Sequence, residues 1–280
     1  MATIIDGKAR ARVIREGLKV EIAALKARGI SPKLVVILAG DDPASHIYVN
    51  NKEKACKETG ILSEIHRLPA NTREEDLIKL VVKLNKDKSV HGIIVQLPLP
   101  EKISEEKVTN SIDPGKDVDG LGVLNMGMLI KGEGDPLISC TPQGIIDLIK
   151  KTGIEIKGKN AVVIGRSNMV GKPAAILLLK EHATVTICHS RTADLKSVTS
   201  KADILVAAIG KPKMIKGDMI KMGSIVIDVG TTKTSEGWAG DVDFNEAKDI
   251  AGYITPVPGG VGPMTIAMLL KNTVKAASRR

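Results

Sequence analysis

Two patterns of hydrophobic residues alternate along this chain. In the segment ARVIREGLKVEIAALKARG, leucine and isoleucine recur from Ile14 at steps of four, four and three residues, which predicts an amphipathic helix closed by Gly29. The run LVVILA at residues 34–39 has no polar position and predicts a strand buried on both faces. Because the two patterns alternate to the end of the chain, we predict an α/β fold of parallel sheets with helices on both faces.

The remaining elements follow from the same patterns. Further strands are predicted at ILSEIHRL, VHGIIVQLPLP, NAVVIG, ATVTICHS, ADILVAAIG and SIVIDVG. Helices are predicted for a segment that carries Tyr48 and Lys52 and ends near Gly60, for residues 73–85, from Gly171 onward, and for residues 263–277.

A segment rich in glycine and proline, KGEGDPLISCTPQG at residues 131–144, interrupts this alternation. We predict that it joins one α/β domain to a second. Thr141 and Pro142 at its end are typical of a helix N-cap and a first helical residue.

Composition narrows the class of protein. Cys56, Cys140 and Cys188 fit neither a disulfide framework nor a paired-cysteine zinc pattern. The N-terminal segment lacks the apolar stretch of a secretory signal, and no apolar run is long enough to span a bilayer. We therefore expect a cytoplasmic protein with no membrane association.

The formal net charge of +9 indicates an acidic partner. Nucleic acid is disfavoured, because a base-stacking surface needs aromatic side chains and the chain has one tryptophan, two tyrosines and one phenylalanine. Small phosphorylated or carboxylated ligands are the favoured partners. The histidines show no metal-ligand spacing, so we predict no metal.

Tyr48 and Lys52 lie four residues apart, so they share one face of the predicted helix. Such a pair occurs both on ordinary surfaces and in active sites. Gln96 ends a neighbouring buried strand, where its side chain is placed to bind the Lys52 ammonium. The segment KDVDG contains Asp117 and Asp119. From the residues alone, these two are most simply interpreted as a pair of turn aspartates.

A nucleotide site is predicted in the second half of the chain. The strand NAVVI leads into the glycine loop, residues 165–171, and then into a helix and the strand ATVTIC, a βαβ unit of the size used for dinucleotides. The loop lacks the close-spaced GxGxxG pattern, so a structural turn remains the alternative. After the second strand, Ser190 and Arg191 stand where an NAD site usually has an acidic residue, and Arg166 is available from the loop. These residues favour NADP. A second candidate, TPVPGGVGPMT, is a stiff loop whose glycines allow close approach of a ligand.

The segments YVNNKEKAC, QLPLP, KDVDG, GRSNMVGKP, CHSRT and TPVPGGVGPMT occur in the order and spacing of a known family. Over nearly its whole length the chain resembles the bifunctional methylenetetrahydrofolate dehydrogenase/cyclohydrolases of the bacterial FolD type. The resemblance implies two α/β domains with a folate cleft between them, the second of the Rossmann type, and a homodimer. It also implies oxidation of 5,10-methylenetetrahydrofolate with NADP, then hydrolysis of the 5,10-methenyl product to 10-formyltetrahydrofolate.

The same resemblance implies a division into domains and a set of site residues. Residues 1–138, completed by a C-terminal helix at 263–280, are expected to be the folate-binding catalytic domain, and residues 139–262 the NADP domain. The implied residues are Tyr48, Lys52, Gln96 and Asp119 for catalysis and folate binding, Pro258, Gly259 and Gly260 for folate, and Gly165, Arg166, Ser167, Ser190, Arg191 and Thr231 for NADP. Two segments depart from the family pattern, namely DVGTT in place of a DVGIN-like ending and Ser139 where proline is commoner.

Two other classes share some of these features. Short-chain dehydrogenases also carry Tyr-x-x-x-Lys, but there the motif follows the nucleotide loop, whereas Tyr48 precedes Gly165. A non-catalytic nucleotide-binding or RNA-binding protein is the second alternative, and separate titrations with NADP, folate and RNA distinguish it.

Overall fold

The computed structural model describes residues 1–235 and 237–279, which alternate between helices and strands. The α-helices of these residues are α1 (Gly7–Ala27), α2 (Pro43–Thr59), α3 (Glu74–Lys86), α4 (Glu105–Asn110), α5 (Val123–Lys131), α6 (Cys140–Lys151), α7 (Gly171–Lys180), α8 (Leu195–Thr199), α9 (Phe244–Ala247) and α10 (Val261–Ser278). The strands are β1 (Thr3–Ile4), β2 (Lys33–Ala39), β3 (Leu62–Leu68), β4 (Gly92–Val95), β5 (Asn160–Ile164), β6 (Thr184–Cys188), β7 (Ile204–Ala207), β8 (Ile225–Asp228), β9 (Thr232–Thr234), β10 (Gly237–Ala239) and β11 (Tyr253–Ile254).

The chain forms two compact units. One comprises Met1–Arg12 with Thr141–Thr265, and the other comprises Val13–Cys140 with the residues from Ile266 on. The predicted first domain included residues 1–12, but Thr3 and Ile4 of β1 pair in parallel with β11, so this segment belongs to the unit with the larger sheet. The last residue of the helix predicted at 263–280, Arg280, lies outside the described residues.

The unit that contains Val13–Cys140 has a three-stranded parallel sheet in the order β3-β2-β4. The central strand is buried from Leu34 to Ala39, as its unbroken apolar run predicts. Val35 and Ile37 of this strand pack against Leu77 and Val81 of α3. Because the three strands are parallel, the residues that follow β2 and β4 meet at the same edge of the sheet.

The other unit has a six-stranded sheet in the order β1-β11-β8-β7-β5-β6, in which all neighbouring strands are parallel. From β5 the chain passes to β6 on one side and then returns to β7 on the other. This reversal makes the carboxyl ends of β5 and β7 the topological switch point, where open α/β sheets bind ligands. A short antiparallel hairpin of β9 and β10 follows β8 and was not predicted from the sequence.

The predicted α/β class and its parallel sheets are confirmed, and the starts of α6 and α10 are among the helix ends that differ from prediction. α6 begins at Cys140, so Thr141 lies in its first turn rather than at the N-cap. The Thr141 hydroxyl lies 2.8 Å from that of Thr265. α10 begins at Val261, which makes Pro263 its third residue. Of the helices that the structure describes, none has the length and apolar character needed to cross a bilayer.

Candidate active site and nucleotide site

Tyr48 and Lys52 lie on α2, which starts shortly after β2. Asp42 caps this helix, because its carboxylate accepts a hydrogen bond from the Ser45 backbone N–H at 2.8 Å, and Pro43 occupies the first turn. One turn of helix separates Tyr48 from Lys52, so the predicted shared face is confirmed. Tyr48 is 45% exposed, which leaves aromatic surface open on the same helix as the lysine.

The ammonium of Lys52 is held by Gln96. Lys52 Nζ donates to Gln96 Oε1 at 2.8 Å, which confirms the predicted hydrogen bond. Gln96 is itself fixed, since its backbone N–H donates to the carbonyl of Ile37 at 2.8 Å and its Nε2 donates to the carbonyl of Leu97 at 2.6 Å. With Nε2 committed to a carbonyl, the amide can present only its oxygen to the lysine.

The loop that carries Asp119 is built around the buried carboxylate of Asp117. Asp117 accepts hydrogen bonds from the backbone N–H groups of Gly120, Leu121 and Gly122 at 3.0, 3.3 and 2.8 Å, and from Asn125 Nδ2 at 3.0 Å. Burial raises the pKa of Asp117. The turn-aspartate interpretation therefore fits Asp117, whose bonds shape the loop, while the Asp119 side chain stays partly exposed.

Two further side chains fasten this loop and were missed from the sequence. Asn272 Nδ2 donates to the carbonyls of Val118 and Ile138, both at 2.8 Å. Cys140 Sγ donates to the carbonyl of Val118 at 3.3 Å. Asn272 lies on α10, far along the chain from the loop, so no local pattern indicates this contact.

Lys52 and Asp119 both lie near the thiol of Cys140. Burial raises the pKa of this thiol well above its ordinary value, the Asp119 carboxylate adds to the rise, and the Lys52 ammonium opposes it. The unit that contains Val13–Cys140 thus carries all four predicted groups, namely the amine of Lys52, the amide of Gln96, the carboxylate of Asp119 and the phenol of Tyr48. Within residues 1–235 and 237–279, no group of three or more histidine, cysteine or acidic side chains is placed to hold a metal ion.

The glycine loop lies at the switch point of the six-stranded sheet. Gly165 has a φ of +126°, and a Cβ there would lie 2.2 Å from the carbonyl oxygen of Ala208. A Cβ on Gly171 would lie 2.2 Å from the carbonyl oxygen of Gly165. Only glycine fits these positions, and α7 starts at Gly171, which leaves a backbone cradle at a helix N-terminus of the kind that binds phosphates.

The polar residues predicted for NADP lie on or beside this edge. Arg166 and Ser167 are exposed in the glycine loop, and the Ser167 hydroxyl accepts hydrogen bonds from the N–H groups of Val170 and Gly171 at 3.1 and 3.3 Å. Ser190 and Arg191 are exposed after β6, the neighbour of β5.

Two hydrogen bonds from backbone N–H groups hold the glycine loop and the turn after β6. The Gly165 N–H donates to the carbonyl of Cys188 at 2.9 Å, and the Arg191 N–H donates to His189 Nδ1 at 3.1 Å.

Thr231 follows a different strand of the same sheet. It is exposed in the short segment between Asp228, the last residue of β8, and the start of β9.

The loop at Pro258, Gly259 and Gly260 packs on the start of α1. Gly259 has a φ of +110°, and its carbonyl accepts from the Lys8 N–H at 2.9 Å. A Cβ on Gly7 would lie 1.8 Å from the carbonyl oxygen of Gly260, so the two backbones touch. Pro258 is exposed, whereas Gly260 is buried.

Two family models match this chain. Residues 5–119 match the tetrahydrofolate dehydrogenase/cyclohydrolase catalytic domain, and residues 139–280 match the NAD(P)-binding domain of the same family. The first match contains Lys52, Gln96 and Asp119, and the second contains the glycine loop.

Relatives match over the full length. The bifunctional protein FolD of Moorella thermoacetica is 58% identical over 279 residues, which cover 99% of each chain. The crystal structure of the FolD dehydrogenase/cyclohydrolase from Campylobacter jejuni is 48% identical, with a TM-score of 0.98 and 100% of both chains covered. The FolD enzyme of Trypanosoma brucei, solved in complex with NADP and an inhibitor, is 42% identical, with a TM-score of 0.94 and coverage of 99% and 98%. This chain belongs to the tetrahydrofolate dehydrogenase/cyclohydrolase family.

Proposed function

We propose that this chain oxidises 5,10-methylenetetrahydrofolate with NADP and hydrolyses the 5,10-methenyl product to 10-formyltetrahydrofolate. Family membership supports both reactions. The observation that carries the assignment of residues is the hydrogen bond from Lys52 Nζ to Gln96 Oε1, at 2.8 Å, in the unit that also presents Asp119.

Lys52 is the proposed general acid/base of the hydrolysis. A water attacks the methenyl carbon, and protons then move from the new hydroxyl to the ring nitrogen that leaves this carbon. In its neutral form, the Lys52 amine can accept the first proton, and the ammonium so formed can return one to the nitrogen, which is the type of transfer that side-chain acids and bases accelerate. Gln96 holds the amine by an oxygen that accepts but does not compete for the proton, so Lys52 is oriented without being neutralised by a carboxylate.

The oxidation has different requirements. The lone pair of the neighbouring nitrogen moves in as hydride leaves the methylene carbon, so no base is needed to remove a proton. NADP, when bound, supplies the hydride acceptor. The residues of this chain contribute position, and a variant that loses the Lys52 amine should therefore retain part of this activity.

Asp119 and Tyr48 are the proposed folate contacts. The amino-pyrimidinone edge of a pterin has two neighbouring N–H donors, which suit the two oxygens of one carboxylate. Tyr48 offers an exposed ring one helical turn from Lys52, against which the planar ring system can pack. Pro258, Gly259 and Gly260 are the proposed further contacts with folate.

The residues of the unit with the six-stranded sheet fit NADP. The glycine loop provides backbone close to the phosphates, as the two positions without room for a Cβ indicate. Arg166 and Arg191 are exposed cations on or beside the loop and suit a 2′-phosphate, with Ser167 and Ser190 as hydroxyl donors. Thr231 is proposed to contact the cofactor from the segment after β8. We also propose a homodimer, as the family resemblance implies, and a location in the cytoplasm, as the cysteine pattern indicates.

A spectrophotometric assay tests the proposed function. The pure protein is supplied with methylenetetrahydrofolate and either NADP or NAD, and then with methenyltetrahydrofolate alone. We expect reduction of NADP in the first assay and loss of the methenyl absorbance in the second. Binding of NADP or RNA without either reaction would instead support a non-catalytic binding protein.

A further inference from the structure

The loop that follows β7, residues 208–211 and here called the β7 loop, is tied to one buried carboxylate. Asp241 Oδ2 accepts hydrogen bonds from the N–H groups of Ile209 and Gly210 at 2.5 and 3.0 Å, and Asp241 Oδ1 accepts from the Lys211 N–H at 2.9 Å. Asp241 is fully buried. Three successive backbone donors thus converge on a single side chain from a distant part of the sequence.

These bonds determine which way the loop faces. In a trans peptide the N–H and C=O groups point in opposite directions, and these three peptide bonds are trans. With the N–H groups aimed at Asp241, the carbonyl oxygens of Ala208, Ile209 and Gly210 point away from it. The Ala208 oxygen, for example, lies against the backbone of Gly165 in the glycine loop. On the side away from Asp241 the β7 loop therefore presents carbonyl acceptors, and the Ala208 oxygen among them lies at the switch point.

The carboxylate of Asp241 is itself aimed by its surroundings. Its backbone N–H donates to Asp228 Oδ1 at 2.9 Å, and its carbonyl accepts from the Ile215 N–H at 2.9 Å. Asp228 Oδ1 also accepts from the Gly230 N–H at 2.9 Å, which places the turn leading to Thr231 in the same network.

Two glycines make room for this network. A Cβ on Gly230 would lie 2.4 Å from Asp241 Oδ1, and a Cβ on Gly240 would lie 1.9 Å from Asp228 Oδ2. The two carboxylates thus pack where side chains are missing, and the close fit leaves Asp241 little freedom to move.

We propose that Asp241 is a positioning residue for the dehydrogenase reaction, which acts by holding the β7 loop in the shape that receives the NADP cofactor. This inference rests on the proposed function and extends it to a residue that does not touch the reactants. The acceptor oxygens of the β7 loop suit a ligand with N–H donors, such as the carboxamide of a nicotinamide. The cyclohydrolase reaction consumes no cofactor and does not depend on this loop.

The test compares Asp241→Asn with Asp243→Asn. The first variant keeps the volume but turns one oxygen into an NH₂ group that faces backbone N–H donors. The second removes a carboxylate two residues away that pairs with Lys216, at 2.8 Å, instead of the β7 loop. For Asp241→Asn we expect the KM for NADP to rise about tenfold or more, which is the effect of an interaction worth about 1.4 kcal/mol. We expect its cyclohydrolase kcat to stay within about twofold of the parent, and both activities of Asp243→Asn to match the parent.

A purely structural role for Asp241 would lower both activities together, or leave the KM for NADP unchanged, and either result overturns the inference. If Asp241→Asn does not fold, Gly210→Ala replaces it, because Gly210 has a φ of +73° with open space around it, so a methyl group strains the loop locally. The same split between the two activities is then expected, and equal losses contradict the inference. A parent protein that reduces neither NADP nor NAD would overturn the proposed function itself.

Discussion

The side-chain oxygen of Gln96 lies 2.8 Å from the ammonium nitrogen of Lys52, and the Gln96 amide is fixed in turn by the carbonyl of Leu97. The amine that we propose as the proton carrier is therefore held by a neutral acceptor. Gln96→Met keeps most of the side-chain volume and removes this acceptor. We expect the cyclohydrolase kcat to fall about tenfold or more, since misplacement of a catalytic group by about 1 Å costs up to 10²-fold. An unchanged cyclohydrolase kcat in steady-state assays would show that Lys52 needs no help from Gln96.

Asp119 is expected to bind folate rather than to transfer protons. Asp119→Asn presents an NH₂ group to the pterin donors and leaves one of them unpaired, at a cost of about 1–3 kcal/mol. The KM for the folate substrate should therefore rise in both reactions. Asp113→Asn is the matched control, because Asp113 is an exposed turn carboxylate of the same segment that accepts from the Gly115 N–H. A loss confined to one reaction would assign Asp119 to a chemical step of that reaction.

Arg191 is expected to select NADP over NAD. A charge-assisted contact with the 2′-phosphate contributes about 1.5–3 kcal/mol, and NAD lacks this phosphate. Arg191→Ala should raise the KM for NADP by about tenfold or more and change the KM for NAD little. Lys196→Ala, which removes an exposed cation nearby in the sequence that pairs with Asp218, serves as the control. Equal losses with both cofactors would contradict the assignment of Arg191.

The buried carboxylate of Asp228 should make stability depend on pH. Burial raises the pKa of Asp228 to about 6 in the folded state. The folded state then binds more protons than the unfolded state between about pH 4 and pH 6, so the free energy of unfolding falls as the pH rises through this window. The contribution is fully present below the unfolded pKa and is lost above about pH 6; at 1.36 kcal/mol per pKa unit it amounts to about 3 kcal/mol.

Denaturant unfolding of the parent and of Asp228→Asn at several pH values measures this contribution. The asparagine variant does not titrate, so the difference in unfolding free energy, parent minus variant, should decrease by about 2.5 kcal/mol from pH 4 to pH 7. Carboxylates outside the Asp228–Asp241 network titrate alike in both proteins and cancel in the difference. Parallel curves would mean that Asp228 keeps its ordinary pKa in the fold.

The site residues that could be predicted from the sequence are those marked by a pattern of neighbouring residues. The spacing of Tyr48 and Lys52 is visible because both lie on one helix, and Gln96 is visible because it ends an apolar run. Asn272 and Asp241 have no such signal. Each bonds to backbone groups of a segment remote in sequence, so their roles depend on tertiary structure that local periodicity does not encode.

Loop interiors were predicted less well than strands for the same reason. Asp117 and Asp119 are identical residue types two positions apart, and only the bonds of Asp117 to three backbone N–H groups distinguish a structural aspartate from an available one. The hairpin of β9 and β10 consists of short, largely exposed strands, so it lacks the apolar runs from which the other strands were predicted.

The cyclohydrolase rate of Lys52→Met tests the central claim most directly. Methionine keeps most of the side-chain volume and removes the amine that we propose as the general acid/base. Lys54→Met is the matched control, because Lys54 is an exposed lysine on the same helix. For Lys52→Met we expect the cyclohydrolase kcat to fall by about 10²-fold or more, the usual scale of general acid–base catalysis, while dehydrogenase activity remains measurable. Hydrolysis of methenyltetrahydrofolate by Lys52→Met at close to the parent rate would contradict the claim and make Tyr48 the residue to examine.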